Sequence, residues 1–193
     1  PVRALRVTYV GELGWELHVP IDRLAEILDA LRAADPQLRP TGYRALDSLR
    51  LEKGYRAWSS DITPNDTPFE AGLGWAVKLK SGRDFIGRAA LERVANAPLG
   101  KRLAGFTVDA PDAVLLGRET ILRDGVAIGY LTSGGWGHTI GKAVGYGYVR
   151  NAEGVSDDWI RNASYSLVVA GEIFPATLGL KPFYDPEGKR IRA

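Results

Sequence analysis

The chain has 193 residues, enough to bury a substantial core in one large domain or two small ones. Hydrophobic residues make up 45%, charged residues 25%, and the formal net charge is +2, with Lys and Arg interspersed among Asp and Glu, so no basic stripe argues for nucleic acid. No apolar run approaches the ~20 residues that cross a bilayer, nor is a signal peptide expected in it. Cys is absent, which excludes disulfides, thiolate catalysis and Cys-ligated metals, and with only His18 and His138 a His-rich metal centre is not expected. A cytoplasmic location is expected. The chain opens on Pro1 rather than Met and enters a strand almost at once, as a piece of a longer polypeptide would.

Arg3 to Val10 reads as a strand with Leu5, Val7 and Tyr9 on one face. A turn containing Gly11 and Gly14 follows, then a strand over Trp15–Val19, and the two predict a hairpin. In the second strand Trp15, Leu17 and Val19 share one face, and Glu16 and His18 the other. Two explanations of Glu16 stay open: a solvated polar face, or a carboxylate kept for a ligand with several N–H donors. Asp22 is placed to N-cap a helix over about Arg23 to Ala33, whose Leu24, Ile27, Leu28 and Leu31 form an apolar stripe.

Pro40-Thr41-Gly42 opens a second helix, Tyr43 to Glu52, with Gly54 as its C′ residue. Ala45, Leu46, Leu49 and Lys53 share one face, and Asp47 with Arg50 reads as a surface ion pair. Tyr55 to Pro68 is a long loop offering Tyr55, Trp58, Asp61 and Asn65 as walls and ligands. Leu73 to Leu79 is strand-like, and Trp75, like Trp15, reads as a core residue. A short helix ends at Val94, and Asn96-Ala97-Pro98 marks a boundary.

After Pro98 the period changes. Leu103–Val108, Glu119–Leu122, Val126–Leu131, Val144–Val149, Tyr165–Val169 and Glu172–Ala176 read as six short strands, with hairpin signals at Asp124-Gly125 and Ala170-Gly171. They predict a small antiparallel barrel or sandwich. Ser133 to Thr139 reads as a Gly-rich loop; without a strand–loop–helix context it is a weak phosphate signal.

Three stretches, Tyr9-Val10-Gly11-Glu12-Leu13-Gly14-Trp15-Glu16, Asp47-Ser48-Leu49-Arg50-Leu51-Glu52-Lys53-Gly54 and Thr67-Pro68-Phe69-Glu70-Ala71-Gly72-Leu73, resemble the folate-binding aminomethyltransferase family. So does Thr132-Ser133-Gly134-Gly135 followed by Ile140-Gly141-Lys142. The family includes the glycine cleavage T-protein and the C-terminal regions of sarcosine and dimethylglycine dehydrogenases. Glu52-Lys53-Gly54-Tyr55-Arg56 and the ending from Tyr184-Asp185-Pro186 resemble the dehydrogenase branch more than the stand-alone T-protein.

The resemblance implies an α+β architecture: residues 1–98 as the C-terminal part of a folate-binding α/β domain, and 99–193 as a β-barrel. It implies that Glu16 accepts N–H bonds from the pterin edge of tetrahydrofolate and that Tyr9 lines the same site. Two departures bear on it. The T-protein Arg that precedes the Asp of Asp-Ser-Leu-Arg is Leu46 here, and Arg44 lies about 200° away around a helix. The family's catalytic Asp belongs to the N-terminal half of the domain, which these residues do not include, so the isolated chain is expected to be inactive or impaired. Neither Asp61 nor Asp66 matches that position, and no catalytic residue is assigned.

The function implied is a tetrahydrofolate-binding one-carbon-transfer module of an oxidative demethylase of N-methyl amines, with FAD held by a partner domain elsewhere in the same polypeptide. A stand-alone aminomethyltransferase or folate-dependent demethylase is one alternative; a non-catalytic folate-sensing or interaction module is another. His138 is a weaker ligand candidate, and Lys142 reads as solvated.

Overall fold

A computed structural model describes residues 2–193. Near its start β1 (Arg3–Leu5) pairs antiparallel with β2 (Glu16–His18), with Arg3 opposite His18 and Leu5 opposite Glu16. Both strands are shorter than the alternation predicts, because residues 6–15 swing out as a loop. Gly11, at φ +79°, sits where a Cβ would lie 2.8 Å from Lys53 Cγ, so glycine lets the loop rest on that side chain. Trp15 is 59% exposed, against the expectation of a core residue: two three-residue strands offer too little surface to cover it. The helix α1 (Leu24–Ala34) carries the expected apolar stripe, yet none of its residues is buried. Asp22 does not cap it; it lies inside a 3-10 turn, Ile21–Arg23, that leads into the helix.

The helix α2 (Tyr43–Glu52) has the predicted bounds. It ends in a Schellman motif: the Gly54 N–H donates to Leu51 O at 3.0 Å and the Tyr55 N–H to Arg50 O at 2.9 Å, with Gly54 at φ +67°. The inner face differs from the predicted stripe. Arg50, Leu51, Glu52 and Lys53 are each at most 4% exposed, while Ala45, Leu46 and Leu49 are only half-buried. The end of the helix is wedged against the barrel, where Ser48 Oγ donates to Trp136 O at 2.6 Å.

The strand expected over 73–79 does not form. Two 3-10 turns, Gly74–Ala76 and Leu79–Ser81, replace it; the Ala76 N–H donates to Leu73 O at 2.9 Å, so the backbone bonds to itself rather than to a neighbour. Trp75 therefore stands 78% exposed instead of in the core. The short helix α3 (Arg88–Val94) follows.

All six strands of the second half are present: β3 (Lys101–Val108), β4 (Thr120–Arg123), β5 (Val126–Gly137), β6 (Lys142–Arg150), β7 (Tyr165–Val169) and β8 (Glu172–Gly179). They close into an antiparallel barrel in the order β3-β6-β5-β4-β7-β8, with the single short helix α4 (Asp157–Arg161) between β6 and β7. Closure leaves no free sheet edge. Asp124-Gly125 and Ala170-Gly171 both have positive φ at both residues, as two-residue hairpin turns require.

Phe106, Ile121, Leu131, Val149 and Leu167 fill the barrel. The β3–β6 wall is buried on both sides. Ala104, Phe106 and Val108 face the interior, while Leu103, Val144, Tyr146 and Tyr148 pack outward with Leu51 of α2. The segment expected as a Gly-rich loop is the second half of the twelve-residue β5, and only 138–141 turn. Its glycines are there for packing: a Cβ on Gly135 would lie 3.0 Å from Leu51 Cδ1, and one on Gly134 2.8 Å from Leu115 Cβ.

Candidate functional site

The last turn of α2 gathers the chain around it, and each residue holds a different element. Arg50 is the hub. Its Nε donates to Asp47 Oδ1 at 2.7 Å, Nη1 to Asp61 Oδ2 at 2.6 Å, and Nη2 to Ser133 Oγ at 3.1 Å. Asp61, 1% exposed, also accepts from the Ala57 N–H at 2.9 Å, from Thr132 Oγ1 at 2.6 Å and from the Ser133 hydroxyl. The Asp47–Arg50 pair is thus one edge of a buried network, not a surface pair, and such a network holds because every member is satisfied. Glu52, 1% exposed, accepts from the N–H groups of Thr139 and Ile140 at 2.7 and 2.8 Å and from Thr139 Oγ1 at 2.9 Å, tying the β5–β6 turn to the helix. Lys53 donates to Asp185 Oδ2 at 2.6 Å and thereby fixes the C-terminal segment. Asp66 accepts from Lys101 Nζ at 2.5 Å and from the Thr63 N–H at 2.7 Å. Both aspartates of the loop are therefore engaged in holding it.

A cavity of about 600 Å³ opens beside this turn, between the first loop, residues 55–75 and the C-terminal segment. The rings of Tyr9 and Tyr55 form one wall, their centroids 6.0 Å apart and their planes 14° from parallel, and Trp75 adds a second aromatic face. Lys53 and Arg56 bring cations to the lining. The Tyr9 hydroxyl donates to Arg56 O at 3.1 Å. Burial pushes the Tyr9 phenol up, so it stays a neutral donor and keeps its ring fixed against the wall. Such a cavity suits a flat heterocycle that carries an anionic group.

Of the two residues expected in one site, the structure places Tyr9 on this lining and Glu16 away from it. Glu16 lies on β2 with its side chain 59% exposed, and His18 Nε2, 3.8 Å from Oε2, is its one ionic neighbour among the described residues. Of the loop residues named from sequence, Tyr55 lines the cavity, Asp61 is locked into the network, and Trp58 and Asn65 are exposed. His138 is exposed on the rim of a second cleft of about 470 Å³, with Arg44 and Ser48. Lys142 pairs with Asp109 at 2.9 Å on the surface. Arg56 escaped the sequence: its signal is no more than a cation two residues past a helix-ending glycine. Among the described residues no group of three or more His, Asp or Glu is arranged to hold a metal ion. Nor is any helix long and apolar enough to cross a membrane.

The closed six-stranded barrel joined to a helix-bearing layer is the architecture of an aminomethyltransferase-type fold. Residues 1–81 match the GCVT N-terminal domain model and residues 101–185 the glycine cleavage T-protein C-terminal barrel domain, and the chain belongs to this family. It is 42% identical over 195 residues to the mitochondrial sarcosine dehydrogenase of Mus musculus, covering 99% of this chain and 21% of that protein. To the mitochondrial dimethylglycine dehydrogenase of Mus musculus it is 34% identical over 194 residues, covering 100% of this chain and 22% of that protein. The chain thus spans about a fifth of the length of these relatives. The crystal structure of the glycine cleavage system aminomethyltransferase T from Bartonella henselae superposes with a TM-score of 0.80 at 27% identity, over 95% of this chain and 50% of that one.

Proposed function

We propose that these residues form the tetrahydrofolate-binding, one-carbon-transfer module of an oxidative demethylase acting on an N-methyl amine of the sarcosine or dimethylglycine type, within a longer flavoprotein. The observation that carries the reading is the aromatic-walled, cation-bearing cavity of about 600 Å³ at Tyr9. The dehydrogenase branch is supported by Leu46 at the T-protein arginine position and by the 42% identity to a sarcosine dehydrogenase, a narrow margin over the 38% identity to an aminomethyltransferase of Halothermothrix orenii.

Tetrahydrofolate supplies nucleophilic nitrogens that accept a one-carbon unit. The residues here fit its binding. The Tyr9 and Tyr55 rings hold a planar ring, and the surrounding apolar side chains exclude water from it. The family resemblance assigns Glu16, open to solvent and outside the cavity lining, to the two parallel N–H donors of a pterin edge that extends past the Tyr9 wall. No carboxylate of the chain is assigned to the chemistry: Asp61 and Asp66 are held in structural hydrogen bonds. On this reading the catalytic group and the flavin belong to other parts of the polypeptide; the glycines at 134, 135 and 137 lie in a strand and form no strand–helix turn fit for a dinucleotide. We place the boundary between the folate-binding part and the barrel at residues 98 and 99. The compartment is the cytoplasm or an organelle matrix, the two dehydrogenases above being mitochondrial by name.

The test is a titration with tetrahydrofolate. Glu16→Gln removes a charge-assisted pair and weakens binding about 10- to 100-fold. Full affinity in Glu16→Ala would remove Glu16 from the site.

A further inference from the structure

Arg56 is a half-buried arginine without a counter-ion. Its Nη1 donates to Gly54 O at 2.6 Å and its Nε to Ala71 O at 3.1 Å, so both contacts are neutral carbonyls. Among the described residues no carboxylate lies within salt-bridge distance of it, and Asp61, which acts on it from further off, is bound to Arg50 at 2.6 Å. A guanidinium has five N–H donors, which leaves three, both of Nη2 included, without a protein acceptor. Desolvation by burial lowers its pKa, which marks the charge as under-compensated where it sits.

The guanidinium lines the cavity beside Tyr9 and Tyr55. Lys53, Lys181 and Arg192 share that lining, and Glu187 is the one carboxylate on it among the described residues. Lys189 lies 2.8 Å from Glu187, and Lys53 is neutralised by Asp185, so among the described residues Arg56, Lys181 and Arg192 are the lining cations without a carboxylate partner, and Arg56 is the one beside the Tyr9–Tyr55 wall.

We propose that Arg56 is the anion anchor of the cavity and binds a ligand carboxylate through its free Nη1–Nη2 edge. Resting on the folate reading above, that carboxylate belongs to the glutamyl tail, with the aromatic wall taking the ring portion. The planar fork of the guanidinium matches a carboxylate in two parallel hydrogen bonds, and Lys181 and Arg192 extend the positive field toward the mouth for further carboxylates of the tail.

The experiment compares tetrahydrofolate with tetrahydropteroate, which has the same ring system without the glutamate, on the full polypeptide that carries these residues. The wild type binds tetrahydrofolate about 10- to 100-fold more tightly than tetrahydropteroate, and Arg56→Gln abolishes that difference while changing tetrahydropteroate affinity less than about 2-fold. Equal wild-type affinity for the two compounds overturns the proposal and does not depend on how the variant folds. Loss of both compounds to the same degree in a variant with an unchanged melting curve overturns it as well. If tetrahydropteroate and tetrahydrofolate both bind and depend on Glu16, only the role of Arg56 has failed; if the wild type binds neither, the folate reading falls and this one with it.

Discussion

Asp61→Ala removes the carboxylate on which the buried network turns. Arg50, 4% exposed, loses its contact at 2.6 Å and keeps Asp47, whose side chain is 45% exposed, as its one remaining carboxylate. Thr132 Oγ1 loses one of its two acceptors and the Ala57 N–H loses its side-chain acceptor. Breaking a buried pair by deleting one member costs about 3–5 kcal/mol, and the surviving Asp47 bond places this case near the lower end, about 3 kcal/mol. For a chain of this size each kcal/mol moves the melting temperature by about 2–4 °C, so a fall of roughly 6–12 °C is expected. Urea unfolding followed by circular dichroism gives the free energy, and differential scanning calorimetry the temperature. The double variant Arg50→Met with Asp61→Ala should lose clearly less than the sum of the single changes, since the stranded charge is gone. A melting temperature for Asp61→Ala within 2 °C of wild type, or full additivity in the double variant, would refute the argument.

Gly54→Ala places a Cβ at φ +67° and 2.8 Å from the Tyr146 hydroxyl oxygen, so about 2 kcal/mol or more should be lost in urea unfolding; a loss below about 0.5 kcal/mol would contradict the assigned turn. Asp66 sets a pH dependence. Burial would raise its carboxyl pKa, but the hydrogen bonds from Lys101 and Thr63 outweigh it and hold the group below the usual carboxylate range. Its folded pKa is depressed, so its stabilisation is fully present above the unfolded value near 4 and is lost as pH falls through the folded value. Asp66→Asn should therefore be less stable than wild type at pH 7 and converge with it toward pH 2; a gap that widens on acidification would reverse the sign.

The barrel was legible because its signals are local. Alternation and the Asp124-Gly125 turn act over a few residues, and all six expected strands form, with β5 running past Leu131 to Gly137. The bounds of α2 were legible for the same reason, from Pro40-Thr41-Gly42 at one end and Gly54 at the other. What failed depended on contacts distant in sequence. Arg50 looked like half of a surface pair because its second carboxylate is 11 residues away and its hydroxyl partner 83 residues away. The glycines of β5 looked like a loop because the side chains they accommodate belong to α2 and to residue 115. Trp75 followed a two-residue period that no neighbouring strand made use of. As for the site, Tyr9 lies on the cavity, while Glu16 is a residue whose role the resemblance supplies and the cavity wall does not.

Lys53 has one further consequence, for the order in which the protein can be made. Its side chain is 4% exposed and its counter-ion, Asp185, lies 132 residues further along the chain. During synthesis the helix end can form its turn early, but it cannot be sealed, because an ammonium closed in without its carboxylate would be left unpaired. The helix end and the first loop resting on it therefore gain their full stabilisation only once Asp185 is in place. A nascent chain that stops short of Asp185 would hold a folding barrel beside an unlocked helix, a species suited to recognition by chaperones or proteases.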